Sequence, residues 1–178
     1  MRACYAIPGQ CWPVEQGWLY DMLSFSKRHV EIGAFCGKSL LASCGGMCDA
    51  EVIAVDPLTE TPAGRPWHKA VLNASIELIN STFREKRVIA AHIEKTSVDA
   101  ALIVGRNKKV DSVFIDGDHH YAEVAADIAT WLPLINPGGI ICGHDYWARN
   151  AEVMDAVNNT LADFQVASNT RIWWKRVE

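Results

Sequence analysis

Five short apolar runs, each separated from the next by a longer amphipathic stretch, constrain this chain more than any other feature. They are HVEIGAF (29–35), EVIAVDP (51–57), RVIAAHI (87–93), SVFIDG (112–117) and GGIICGHDY (138–146). Strands buried on both faces read as near-continuous apolar runs, and parallel neighbours need a crossover between them. The intervening GKSLLASCGG, WHKAVLNASIELINSTFREK, SVDAALIVGRNKK and YAEVAADIATWLPLI supply those crossovers as amphipathic helices. The predicted fold is α/β, a parallel sheet with helices on both faces. An entry helix in PVEQGWLYDMLSF belongs to an entry segment 1–28, and ARNAEVMDAVNNTLA adds a helix after the fifth strand. The last run, DFQVASNTRIWWKRV, alternates on either side of Ser168–Asn169 and predicts a C-terminal antiparallel hairpin. The sheet is then seven-stranded and mostly parallel. At 178 residues the chain is expected to be a single domain, 1–178.

Composition narrows the function. A net charge of -4 argues against a nucleic-acid partner, and RNKK (106–109) reads as a solvated helix end. No apolar run approaches the ~20 residues of a membrane span, and the start of the chain is too short and interrupted for a signal peptide. The six cysteines (Cys4, Cys11, Cys36, Cys44, Cys48 and Cys142) read as reduced thiols of a cytoplasmic protein. Cys44 and Cys48 lack a second ligand pair at zinc-site spacing.

In an open α/β sheet, ligands sit at the carboxyl ends of the strands, near the switch in strand order. The first such end, EIGAFCGKSL (31–40), imitates a phosphate loop. A P-loop needs four residues between its glycines, and here Gly33 and Gly37 enclose three. A dinucleotide fingerprint needs a middle glycine, and Phe35 occupies that place. A third possibility is a glycine turn that lets an adenosyl amino acid lie across the strand end. It requires an acid at the end of the second strand to accept ribose hydroxyls, which Asp56 supplies.

The ordered set VEIGAFCGKSLLAS, VIAVDP, VDSVFIDGDHHY and LINPGGIICGHDY resembles the successive motifs of class I S-adenosylmethionine-dependent methyltransferases, a Rossmann-like family. It is most similar to the small metal-dependent O-methyltransferases of the catechol and macrolide-sugar types. The resemblance implies that Gly33, Ala34, Phe35 and Gly37 form the cofactor loop, and that Glu31 braces it near the methionine amino group. Ser39 then reaches the methionine carboxylate and Asp56 the ribose, with Asp116 beside the cofactor. Thr96 and Ser97 fall at the adenine, and read equally well as helix N-caps.

By the same resemblance the reaction is methyl transfer to an oxygen of a small-molecule acceptor. Asp116 and Asp145 hold Mg²⁺, and His119, three residues beyond Asp116, is the base. Catechol-type enzymes follow the second aspartate with asparagine; here the residue is Tyr146, so His144 or Asp118 is the candidate third ligand. Trp131, Trp173 and Trp174 are expected in the core, and Trp12, Trp67 and Trp147 near the ligand edge as lid residues. His68 and His92 read as ordinary loop and strand residues. A homodimer is the expected assembly. The alternatives are a metal-independent methyltransferase acting on nitrogen or another atom, and a non-catalytic S-adenosylmethionine binder.

Overall fold

A computed structural model describes residues 6–58, 67–106 and 108–178. Cys4, Asn107 and most of the 58–69 loop therefore lie outside the described residues. The elements are α1 (Pro13–Met22), β1 (Arg28–Ile32), α2 (Lys38–Gly46), β2 (Ala50–Val55), α3 (His68–Thr82), β3 (Val88–Ile93), α4 (Ser97–Val104), β4 (Val110–Ile115), α5 (Tyr121–Trp131), β5 (Ile135–Gly143), α6 (Ala151–Thr160), β6 (Gln165–Val166) and β7 (Trp173–Arg176). They form one seven-stranded sheet in the order β3-β2-β1-β4-β5-β7-β6. β1 to β5 pair in parallel, and β7 runs antiparallel between β5 and β6. The expected fold, including the C-terminal hairpin, is the observed one. Among the described residues, no helix is long and apolar enough to cross a membrane.

One boundary differs from expectation. The fourth crossover helix stops at Trp131, and a 3₁₀ turn over Leu132–Leu134 leads directly into β5. Pro133 lacks the N–H that a helix interior needs, and its ring clashes with the preceding turn. β5 thus begins three residues before the predicted run, with a register irregularity against β4 between Val110 and Ser112.

Side-chain alternation along the strands divides the core in two. Phe114 of β4 joins Leu19, Leu40, Met47 and Leu72 on the face covered by α1 to α3. Val113 and Ile115 join Val30, Ile128, Val157 and Trp173 on the face covered by α4 to α6. Trp131 and Trp173 are buried as expected, while Trp174 is partly exposed and packs 6.1 Å from the Trp18 ring.

The hairpin fits against β5 because Gly143 has no side chain. A Cβ there would lie 2.4 Å from Trp173 Cζ2 and 2.6 Å from the Ile115 carbonyl oxygen. Alanine normally gains about 0.5–1 kcal/mol over glycine in a strand, but overpacking costs about 1–3 kcal/mol. Gly143→Ala is therefore expected to be destabilising, seen as a lower midpoint in urea denaturation; an unchanged or higher midpoint would contradict the close packing.

Candidate active site

β1 lies between β2 and β4, so the chain winds outward to β3 and returns to β4 on the other side. A cleft of about 610 Å³ opens at that switch, over the carboxyl ends of the parallel strands. Its floor is the turn after β1. Gly33 has φ +75°, and a Cβ there would lie 2.3 Å from the Asp116 carbonyl oxygen and 2.4 Å from Gly117 Cα. Glycine is required because the ends of β1 and β4 touch backbone to backbone.

Asp56, at the end of β2, braces that turn. Its Oδ2 accepts the Phe35 N–H at 2.8 Å, and its Oδ1 accepts the Leu58 N–H at 2.8 Å. Phe35 itself has a positive φ of 46°, strained for an aromatic residue. His68 adds a second hold, with Nε2 2.8 Å from the Phe35 carbonyl and 3.6 Å from Asp56 Oδ2. Gly33, Phe35, Asp56 and His68 all line the cleft.

Glu31, Ala34, Gly37 and Ser39 sit beneath this surface and do not line the cleft. Ser39 Oγ donates to Glu31 Oε1 at 2.8 Å, with both side chains buried. Burial pushes the Glu31 carboxyl up. Thr96 and Ser97 do line the cleft, and each has a structural partner. Thr96 Oγ1 accepts the Asp99 N–H at 3.3 Å as the cap of α4, and Ser97 Oγ accepts the Trp131 indole N–H at 2.8 Å.

At the other end, Asp116, His119, His144 and Asp145 converge. His119 Nε2 is 3.0 Å from Asp145 Oδ2, and His144 Nδ1 is 3.5 Å from Asp116 Oδ1 and 3.4 Å from Asp145 Oδ2. Asp145 is carried at φ 59°, a left-handed conformation that aspartate tolerates better than most residues. On the far side of the imidazole, His144 Nε2 lies 3.1 Å from Glu15 Oε2, out of hydrogen-bond alignment. Arg171 closes the cluster, with Nε 3.2 Å from Glu15 Oε1 and a terminal nitrogen 3.4 Å from Asp145 Oδ1.

These contacts set the protonation states. Burial disfavours a charged His144, but the neighbouring carboxylates of Asp116, Asp145 and Glu15 outweigh it and carry the imidazole up to about 11. Burial likewise opposes the charge on Glu15, yet His144 and Arg171 hold it down at about 2. Asp145 stays well below the usual carboxylate range against its own burial, through His119 and His144. Asp116 is pushed up by burial, and the bond to Asp145 raises His119.

One ligand atom from each of Asp116, His144 and Asp145 lies within 4.8 Å of the other two. Two carboxylates and an imidazole are a fitting donor set for a divalent cation. The imidazole is oriented for it: Nδ1 faces the aspartates while Nε2 faces Glu15, the arrangement in which a second carboxylate steadies a histidine ligand.

A family profile described as "Methyltransferase domain" matches residues 30–146. The chain belongs to this methyltransferase family. The methyltransferase domain is 31% identical over 142 residues to the uncharacterized protein R132 of Acanthamoeba polyphaga mimivirus, a match covering 77% of this chain and 60% of that one. It is 32% identical over 128 residues to tricin synthase 1 of Oryza sativa subsp. japonica, covering 69% and 47%. The chain thus spans less than two thirds of the length of these curated relatives. Among solved structures, the O-methyltransferase from Bacillus cereus in complex with SAH superposes with a TM-score of 0.69 at 18% identity, covering 99% of this chain and 86% of that one.

The structure also brings in residues that the motifs did not single out. Glu15 comes from the entry helix, where its Oε2 also accepts the Trp12 N–H at 2.7 Å, and Arg171 comes from the turn before β7. Their pairing joins positions 156 residues apart, and no local pattern announces it. The expected lid residues Trp12 and Trp147 stack about Arg171, their ring centroids 4.4 and 5.3 Å from its guanidinium carbon, and Trp67 meets the Phe35 ring edge-on at 6.2 Å. Asp127, on α5, lines the cleft as Ser97 does.

Burial raises the Asp127 carboxyl to about 6, with Ser97 pulling it down and Glu123 pushing it further up. An acid whose folded value exceeds its unfolded one costs stability above the folded value, and that cost disappears as pH falls toward the unfolded value. Asp127→Asn should accordingly be more stable than the parent at pH 7, by on the order of 1–3 kcal/mol. The gap should close as pH falls from 6 toward 4, and parallel denaturant titrations of both proteins would show it. A gap that widens with acid would refute this assignment.

Proposed function

We propose that this chain is an S-adenosylmethionine-dependent O-methyltransferase acting on a hydroxyl of a small-molecule acceptor, with His119 as its base and a divalent cation, Mg²⁺, at Asp116, Asp145 and His144. The observation that carries the reading is the convergence of these four side chains at one end of a cleft whose floor is the Gly33–Phe35 turn braced by Asp56. A Bacillus cereus O-methyltransferase with SAH bound shares the fold, and a rice relative is named tricin synthase 1. The single domain, a cytoplasmic setting and a homodimer belong to the same proposal. Val98, Leu102 and Ile103 are exposed apolar side chains on α4 that a second copy would cover.

Methyl transfer from a sulfonium is an in-line displacement, so the protein must align an acceptor oxygen and help remove its proton. Alignment alone is worth about 7–11 kcal/mol. His119 is half-exposed at the cleft and accepts the acceptor's proton, and Asp145 beside it stabilises the imidazolium that forms. Arg171 holds Asp145 and Glu15 in place, and Glu15 fixes the ring of His144. When bound, the cation would act as a Lewis acid on the acceptor oxygen. The carboxylates around His144 favour its protonated form, so a metal would displace that proton, and affinity should rise with pH.

One observation favours a metal-independent version of the same reaction: His144 and Arg171 already oppose the charges of Glu15, Asp116 and Asp145. Titration calorimetry of S-adenosylmethionine and S-adenosylhomocysteine, with Mg²⁺ and with chelator, decides between them. Asp56→Ala is expected to weaken both ligands at least tenfold, and Asp145→Ala to abolish only the metal-dependent heat while lowering turnover by about 10²–10⁴. Parent binding unaffected by chelator, with turnover intact, selects the metal-independent route; no binding by the parent removes the methyltransferase reading.

A further inference from the structure

Gly37-Lys38-Ser39 imitates the end of a phosphate loop, and the cofactor reading above gives its lysine no task. The structure turns that side chain toward the segment before α1. Lys38, the first residue of α2, donates through Nζ to the Gly9 carbonyl at 3.0 Å. We propose that residues 7–12 form a strap across the cleft, and that Lys38 is the latch that holds it shut and so sets how fast the cofactor enters and leaves. This rests on the cofactor reading and adds to it a gate and the residue that positions it.

Residues 7–12 form neither helix nor strand. Gly9 and Gln10 line the cleft, while Ile7 and Cys11 on either side of them are buried in the core of the α1–α3 face. The strap runs from one wall to another. Gly9 is tied to the start of α2, and the Gln10 carbonyl accepts an Arg171 terminal nitrogen at 2.8 Å, from the side chain that also meets Asp145. Two more bonds lead into α1: Gln16 Nε2 donates to the Cys11 carbonyl at 2.9 Å, and the Trp12 N–H donates to Glu15 Oε2 at 2.7 Å. Among the described residues, the strap is thus held by side chains rather than by a neighbouring strand. Segments held this way open at lower free energy than sheets or helices. The four holds are unequal. Arg171 is braced by Glu15 and Asp145, whereas Lys38 bonds a neutral carbonyl at an exposed position, where water can replace either partner. The Gly9 end is therefore the one that releases. The fit there is close, since a Cβ on Gly9 would lie 3.2 Å from Lys38 Cβ and Cδ.

A ligand that enters only when the strap is lifted binds in proportion to the open fraction. Weakening the latch then raises the on-rate, and the off-rate with it. A lysine that merely attracted the cofactor's carboxylate would act the other way on entry, because removing an attractive charge slows association. The test is surface plasmon resonance with S-adenosylhomocysteine on the parent, Lys38→Met, Lys38→Arg and Gly9→Ala. Lys38→Met, which removes the donor and keeps the stem, should raise both rates by about two- to tenfold, with Kd changing less than either. Lys38→Arg, which can still donate, should restore the parental rates. Gly9→Ala, which crowds the lysine stem and leaves its charge, should follow Lys38→Met. A second measurement needs no ligand: iodoacetamide labelling of Cys11, whose side chain the closed strap buries, should be faster in Lys38→Met while buried Cys36 and Cys142 keep their parental rates. A lower or unchanged on-rate in Lys38→Met, or Cys11 labelling at the parental rate, overturns the latch; should Gly9→Ala fail to fold, the two lysine variants decide alone. A parent that binds no S-adenosylhomocysteine overturns the cofactor reading and the gate together, whereas a parent that binds it at rates Lys38→Met leaves untouched overturns the gate alone.

Discussion

Three carboxylates and two cationic groups meet where the N-terminal helix, the end of β5 and the C-terminal hairpin come together. Glu15, Asp116 and Asp145 face His144 and Arg171, with Glu15 and His144 almost entirely out of solvent. Removing one partner from such a group leaves an unpaired buried charge, at a cost of about 3–5 kcal/mol. The cluster therefore does more than furnish chemistry. It ties α1 and the β6–β7 hairpin, neither of which belongs to the parallel sheet, to the end of β5. The end of the cleft at His144 and Asp145 is built partly from these peripheral elements, so its geometry depends on the ion pairs holding them.

The other end depends on backbone contacts. Gly33 leaves no room for a side chain against Asp116 and Gly117, and Asp56 accepts two main-chain N–H groups from the loops on either side. A carboxylate committed to two backbone donors still has lone pairs for further donors. Asp56 can thus hold the loop in shape and still accept a further donor without rearranging. His68, from the start of α3, and His92, whose Nε2 lies 2.9 Å from the Asp56 carbonyl, fix the same residue from two more elements. Preorganisation here is a matter of backbone hydrogen bonds rather than side-chain packing.

The fold was legible because apolar strands and amphipathic crossovers are local patterns with distinct periods. Asp56, Asp116, His119 and Asp145 were legible for a related reason: each follows a strand, and in this architecture strand ends are where ligands go. Glu15 and Arg171 were not legible, since a glutamate near the start of a helix reads as a cap and an arginine in a hairpin reads as solvated. Only the tertiary fold turns them into a pair. Asp127 was obscured differently. On α5 it occupies an inward helical position together with Val124, Ile128 and Trp131, where an acid contradicts the pattern. An acid at an apolar helical position is the local signal of it.

The buried acids follow a common logic along the cleft. Glu31, beneath the turn after β1, and Asp127 and Asp116, in the cleft lining, are all pushed up by burial. Their remedies differ: Glu31 takes the Ser39 hydroxyl with the His29 imidazole nearby, whereas Asp116 faces the His144 imidazole. A neutral hydroxyl compensates a buried charge only in part, whereas a cationic imidazole does so strongly.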